Sequence, residues 1–156
     1  MSFAILCRRF ALLFALSIIC LALARPGEVQ ADDLKLEARL IWGTNDKASP
    51  DPKHKSLDTP LTRELAAKFA WKHYFEVNRK DVALPPGAVK KVELSEKCSL
   101  EMKNLGDNRL EVKLFGSGKF VSKTVESIPK GKWLALAGDS ENKTAWFAVL
   151  KTSDSP

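Results

Sequence analysis

From residue 33 onward apolar and polar side chains alternate one by one, with turn residues breaking the alternation roughly every 8–12 residues. This pattern constrains the fold more than any other feature. An extended chain points successive side chains to opposite faces, so period-two alternation means strands with one buried face. Leu34, Leu36, Ala38, Leu40 and Trp42 alternate with Lys35, Glu37, Arg39 and Ile41. Val92 and Leu94, then Cys98, Leu100 and Met102, then Leu110, Val112 and Leu114 repeat the pattern among charged neighbours. A further strand passes through Phe120, Val121 and Val125. Residues 133–138 (WLALAG) and 144–151 (TAWFAVLK) are apolar at consecutive positions, which predicts central strands covered on both faces.

Breaks come where turn chemistry requires them. Pro85-Pro86-Gly87, Gly106-Asp107-Asn108, Gly116-Ser117-Gly118 and Pro129-Lys130-Gly131-Lys132 each end one run and start another. Residues 43–57 hold prolines, a glycine and several turn formers and read as a loop. One helix interrupts the strands: Asp58 or Thr59 can cap it, Pro60 suits its first position, and Leu61, Leu65 and Phe69 share a face. The sum is an all-β antiparallel sandwich of about eight strands, immunoglobulin-like in style, with one short helix near residues 60–70; a small antiparallel β-barrel is the alternative.

The N-terminus carries a different signal. Arg8 and Arg9 precede a fifteen-residue uncharged run, residues 10–24, which Arg25, Pro26 and Gly27 end. A spanning helix needs ~20 apolar residues, so this reads as a cleaved signal peptide, residues 1–31, cut after Ala31 or, earlier, after Ala24. One domain, 32–151, and a frayed tail, 152–156, then remain, with no transmembrane segment in the mature chain. The full chain has 25 Lys and Arg against 19 Asp and Glu; the leader takes Arg8, Arg9, Arg25 and Glu28, leaving 22 against 18, a net +4. Cys7 and Cys20 leave with it, so Cys98 has no partner for an internal disulfide. A lysine-rich secreted chain with one thiol reads as a bacterial periplasmic or envelope protein.

The chemistry-bearing residues are sparse. His54, His73 and Cys98 show none of the paired spacings of a zinc site, and no cofactor signature is present. Gly116-Ser117-Gly118 lacks the lysine of a phosphate cradle. Glu93, Glu101 and Glu111 interleave with Lys91, Lys103 and Arg109, as cross-strand charge pairs do. The basic clusters are short and sit on turns, which argues against nucleic acid. Cys98 shares the inward parity of Leu100 and Met102, and a catalytic thiol would have only His73 as its base.

Residues 68–80 (KFAWKHYFEVNRK) gather aromatics and cations. Parity divides them: Trp71, His73, Phe75 and Val77 inward, Lys72, Tyr74 and Glu76 outward, and Asn78-Arg79-Lys80-Asp81 a turn. The expectation is a non-enzymatic binding or interaction module, secreted or periplasmic, that meets a protein or glycan partner at the envelope. Its expected contacts are Trp42, Lys72, His73 and Tyr74. Two alternatives accompany it: a small hydrolase or thiol-dependent enzyme on Cys98 and His73, and an assembly subunit that pairs through an exposed strand edge.

Overall fold

The computed structural model describes residues 33–57, 59–139 and 144–153. The expected leader, its cleavage sites, the Asp58 cap and the end of the tail lie outside these residues. Nine strands and one helix follow in chain order: β1 (Leu34–Thr44), β2 (Lys55–Ser56), α1 (Thr59–Lys68), β3 (His73–Leu84), β4 (Val89–Ser95), β5 (Cys98–Gly106), β6 (Arg109–Gly116), β7 (Lys119–Ser127), β8 (Trp133–Asp139) and β9 (Ala145–Thr152). They form two antiparallel sheets, one ordered β2-β3-β1-β9-β8 and the other β4-β5-β6-β7. This is the expected sandwich, and the sheets do not close into a barrel.

The alternation in the sequence maps onto the two faces. Leu34, Leu36, Ala38 and Leu40 of β1 meet Leu100, Met102, Val112 and Leu114 of the second sheet, all buried. Removing such side chains from water is the main favourable term in folding. The hairpins obey their turn residues. Asp107 and Asn108, at φ 51° and 56°, join β5 to β6, and Ser117 and Gly118, at 48° and 77°, join β6 to β7. Two successive residues at positive φ make the hairpin turn whose twist matches that of its strands. Gly116-Ser117-Gly118 is therefore a turn. Between the sheets, Asn104 Nδ2 donates to Leu84 O at 2.9 Å and fixes the chain as it crosses from β3 to β4.

The first sheet is covered on both faces at one end. Leu61 and Leu65 of α1 are buried against Ile41, Tyr74, Phe147 and Val149, on the face turned away from the second sheet. Hence β9 is apolar at consecutive positions: Ala148 and Leu150 serve the sandwich core, while Phe147 and Val149 serve the helix. β9 is central, as expected, between β1 and β8. β8 is not; it is the edge of its sheet, and its Ala135 and Trp133 flank the helix cluster while Leu134 and Leu136 serve the core.

β3 departs most from expectation. Residues 78–81 are not a turn but the middle of a twelve-residue strand. Leu40 pairs with Asn78 and Ile41 with Glu76, so Val77 is an extra residue in β3. This bulge switches the parity: Phe75 faces the second sheet before it, Val82 and Leu84 after it. Ser153 N donates to Lys35 O at 2.8 Å, so the chain stays tied to β1 past the end of β9.

Candidate functional site

At one end of the sandwich the sheets stand apart around a cleft of about 1130 Å³. The sequence explains both walls. On the first sheet, Phe75, Trp42 and Trp146 are Cα partners across β3, β1 and β9 and form one aromatic row. The rings of Trp42 and Phe75 lie 6.0 Å apart at 33°. Gly138, paired with Trp146, continues the row on β8. A Cβ at Gly138 would fall inside the Trp146 indole, so the ring lies flat over that glycine. A Cβ at Gly116 would sit 3.3 Å from the same indole and 3.2 Å from Val121. Trp146 thus reaches the second sheet at the base of the cleft. The opposite wall is mostly of small residues, Ser95, Cys98, Gly116 and Ser117, with Val121 beside them. Large rings facing small side chains leave the gap.

The loop after β1 forms the rim. Ser49 Oγ and His54 Nδ1 share a hydrogen bond of 2.7 Å, and the His54 ring is tilted against Trp42 at 6.4 Å. Asp51 lies near, but its Oδ2 stands 3.8 Å from His54 Nε2 and its Oδ1 accepts from Lys53 N at 2.8 Å. Asp51 N in turn donates to Ser49 Oγ at 3.4 Å. A serine, a histidine and an aspartate in reach suggest a nucleophile relay. Here they satisfy one another within six residues and clasp the loop.

Cys98 lies in the cleft wall, 4% exposed, and burial pushes its thiol up to about 11. At neutral pH it is protonated and serves as a small apolar side chain. His73, its expected base, sits half-buried at the start of β3, opposite Thr44, and is not among the cleft residues.

The other expected contacts separate. Trp42 lines the cleft. Lys72 is exposed just before β3. Tyr74 corrects the expectation: its ring does turn away from the second sheet, but α1 covers it, and it is 4% exposed. Its hydroxyl donates to Phe69 O at 3.3 Å, and its ring packs at 6.0 Å from Phe147. Burial raises its phenol above the usual range, against the opposing pull of the Trp71 backbone. Trp71 also changes face, packing under the helix beside Gly43.

No protein-family model, curated protein or solved structure matches this chain.

Two charged regions lie on the sheets outside the cleft. On the outer face of the first sheet Arg39 bonds Glu37 at 2.7 Å and Glu76 at 3.3 Å, and Arg79 bonds the same two carboxylates. The Arg39 guanidinium also lies 4.9 Å over the Trp133 ring. On the second sheet Lys113–Glu101 and Lys123–Glu111 pair across strands at 2.7 and 2.9 Å. Glu101 holds the Lys113 amine above its usual range, and Lys123 holds the Glu111 carboxyl below its own. These glutamates are structural partners of lysines, as the interleaved charges imply. Among the described residues, no three His, Cys, Asp or Glu side chains group as a metal site would require, and no helix is long and apolar enough to cross a membrane.

The cleft escaped sequence reasoning because its walls come from eight strands. One local signal was present. An isolated glycine inside a strand pattern marks close approach of another group, and Gly138 is such a glycine.

Proposed function

We propose that this protein is a non-enzymatic binding module of the cell envelope, secreted or periplasmic, that takes an apolar group of its partner into the cleft between its sheets. One observation carries the reading: Trp42 and Trp146, neighbours in one aromatic row, face a wall of mostly small residues across about 1130 Å³ of open space. Concave, mostly apolar sites with a few polar groups at the rim are where proteins hold small ligands and inserted side groups. Export rests on the basic start, the uncharged run 10–24 and the small residues before position 32. Against a thiol enzyme stand the protonated Cys98 and the position of His73 outside the cleft.

Edge pairing has its own support in β7. This strand is the free edge of the second sheet and exposes Phe120, Val121 and Val125 at 59, 43 and 41%. Site-specific photocrosslinking in the producing cell separates the two readings. With benzoylphenylalanine at Trp42, Val125 or the exposed Lys90, the cleft reading expects capture from position 42 and none from 90. Capture from 125 alone transfers the function to the edge, and capture from none of the three overturns both.

A further inference from the structure

The chemistry of the cleft is specific enough to name what enters it. Between the sheets its walls are Leu40, Val77, Cys98, Val121 and two indoles, with the hydroxyls of Ser95 and Ser117 toward the end of the second sheet. These offer few hydrogen-bond partners, since a thiol is a weak donor and an indole has a single N–H. A sugar pushed between the sheets would leave hydroxyls unpaired, at roughly 1–3 kcal/mol each by protein mutational measure. A hydrocarbon chain incurs no such cost and gains about 25 cal/mol for each Å² of apolar surface removed from water.

The mouth adds a charge preference. Lys97 is exposed at the rim, and its amine has no ion-pair partner among the described residues. Asp46, the one carboxylate among the described lining residues, is tied to Thr44: its backbone N–H donates to the Thr44 hydroxyl at 3.1 Å, and that hydroxyl lies 3.4 Å from its carboxylate. Val121 lines the cleft and is still 43% exposed. A largely apolar cleft with a lysine at its mouth complements a chain that ends in an anion.

We infer that the cleft binds a single-chain anionic amphiphile, its hydrocarbon chain against Trp42 and Trp146 and its anionic head at Lys97. The inference rests on the cleft being the binding site and names the ligand class for it.

The probe is sodium tetradecanoate, added below its micelle concentration to the purified protein and followed by tryptophan fluorescence and calorimetry. The expected result is saturable one-to-one binding. Lys97→Glu should weaken it at least tenfold, and Ser95→Trp, which fills the cleft from an exposed position, should abolish it. Thermal unfolding of each variant shows that it is folded. Absence of saturable binding, or binding indifferent to Ser95→Trp, overturns the inference. Affinity unchanged in Lys97→Glu overturns the anionic head. Co-sedimentation with phosphatidylglycerol vesicles in place of tetradecanoate binding moves the site from a free chain to a bilayer lipid and overturns the single-chain assignment. Maltoheptaose binding, blocked by Ser95→Trp, in place of tetradecanoate overturns the ligand class while the cleft reading stands.

Discussion

At the scale of single residues, Gly138 and Trp146 are a matched pair. The indole occupies the space that any side chain at 138 would need. Adding one methyl to a filled site costs about 1–3 kcal/mol in strained rotamers and shifted backbone. Gly138→Ala should therefore lower the unfolding free energy by that amount, read as a lower urea midpoint at an unchanged slope, and Trp146→Leu in the same chain should recover most of the loss. A midpoint unmoved by Gly138→Ala would mean that the ring does not lie over the glycine. Trp146 was legible as an interior side chain, but its role was not. Alternation reports which face a residue takes and is silent on what stands opposite. Tyr74 teaches the same lesson from the other side: parity turned it away from the second sheet correctly, yet α1 waits there and buries it.

At the scale of elements, α1 was readable from Leu61, Leu65 and Phe69, spaced for one helix face, and these are the residues that pack. What it packs on was hidden, because the sheet face beneath it is assembled from β1, β3 and β9. Ten residues are too few to hold a helix alone in water, so α1 depends on that contact. Leu65→Ala should cost about 2–5 kcal/mol, whereas Ala66→Gly, on the exposed side, should cost only about 1 kcal/mol of helix propensity. Equal losses in equilibrium unfolding would show that the helix is held by propensity and not by the sheet. The bulge at Val77 was likewise invisible locally. Its effect was misread as a turn at residues 78–81, since a switch of parity in one strand looks like the end of one strand and the start of another.

At the scale of the whole molecule, the sandwich is dense through most of its length and open at one end, and Cys98 sits at the boundary. Its thiol holds its proton up to about 11, above the ordinary range of ~8.5 for an exposed cysteine. The folded state thus binds that proton more tightly than the unfolded chain does. This contribution to stability is complete below the unfolded thiol's range and falls away as the pH rises through it toward 11. Between pH 8 and 11 the unfolding free energy should fall more steeply in the native chain than in Cys98→Ala. At pH 8 a disulfide reagent should label Cys98 far more slowly in the folded protein than in urea, at a rate set by opening of the structure. Fast labelling of the folded protein would revive the thiol as a nucleophile.

The place of β1 sets the order in which this molecule can be completed. β1 is the first strand of the described chain and lies between β3 and β9, with Leu36 opposite Thr152 and Trp42 opposite Trp146. One of its two edges therefore has no partner until the last strand has been made. A ribosome delivering the chain from its N-terminus releases every other strand before the sheet can close. Cotranslational folding of this sheet waits for β9, and until that strand is delivered β1 keeps an unpaired edge that invites wrong partners. The first sheet is therefore the later of the two to be completed, although it holds the strand that is made first.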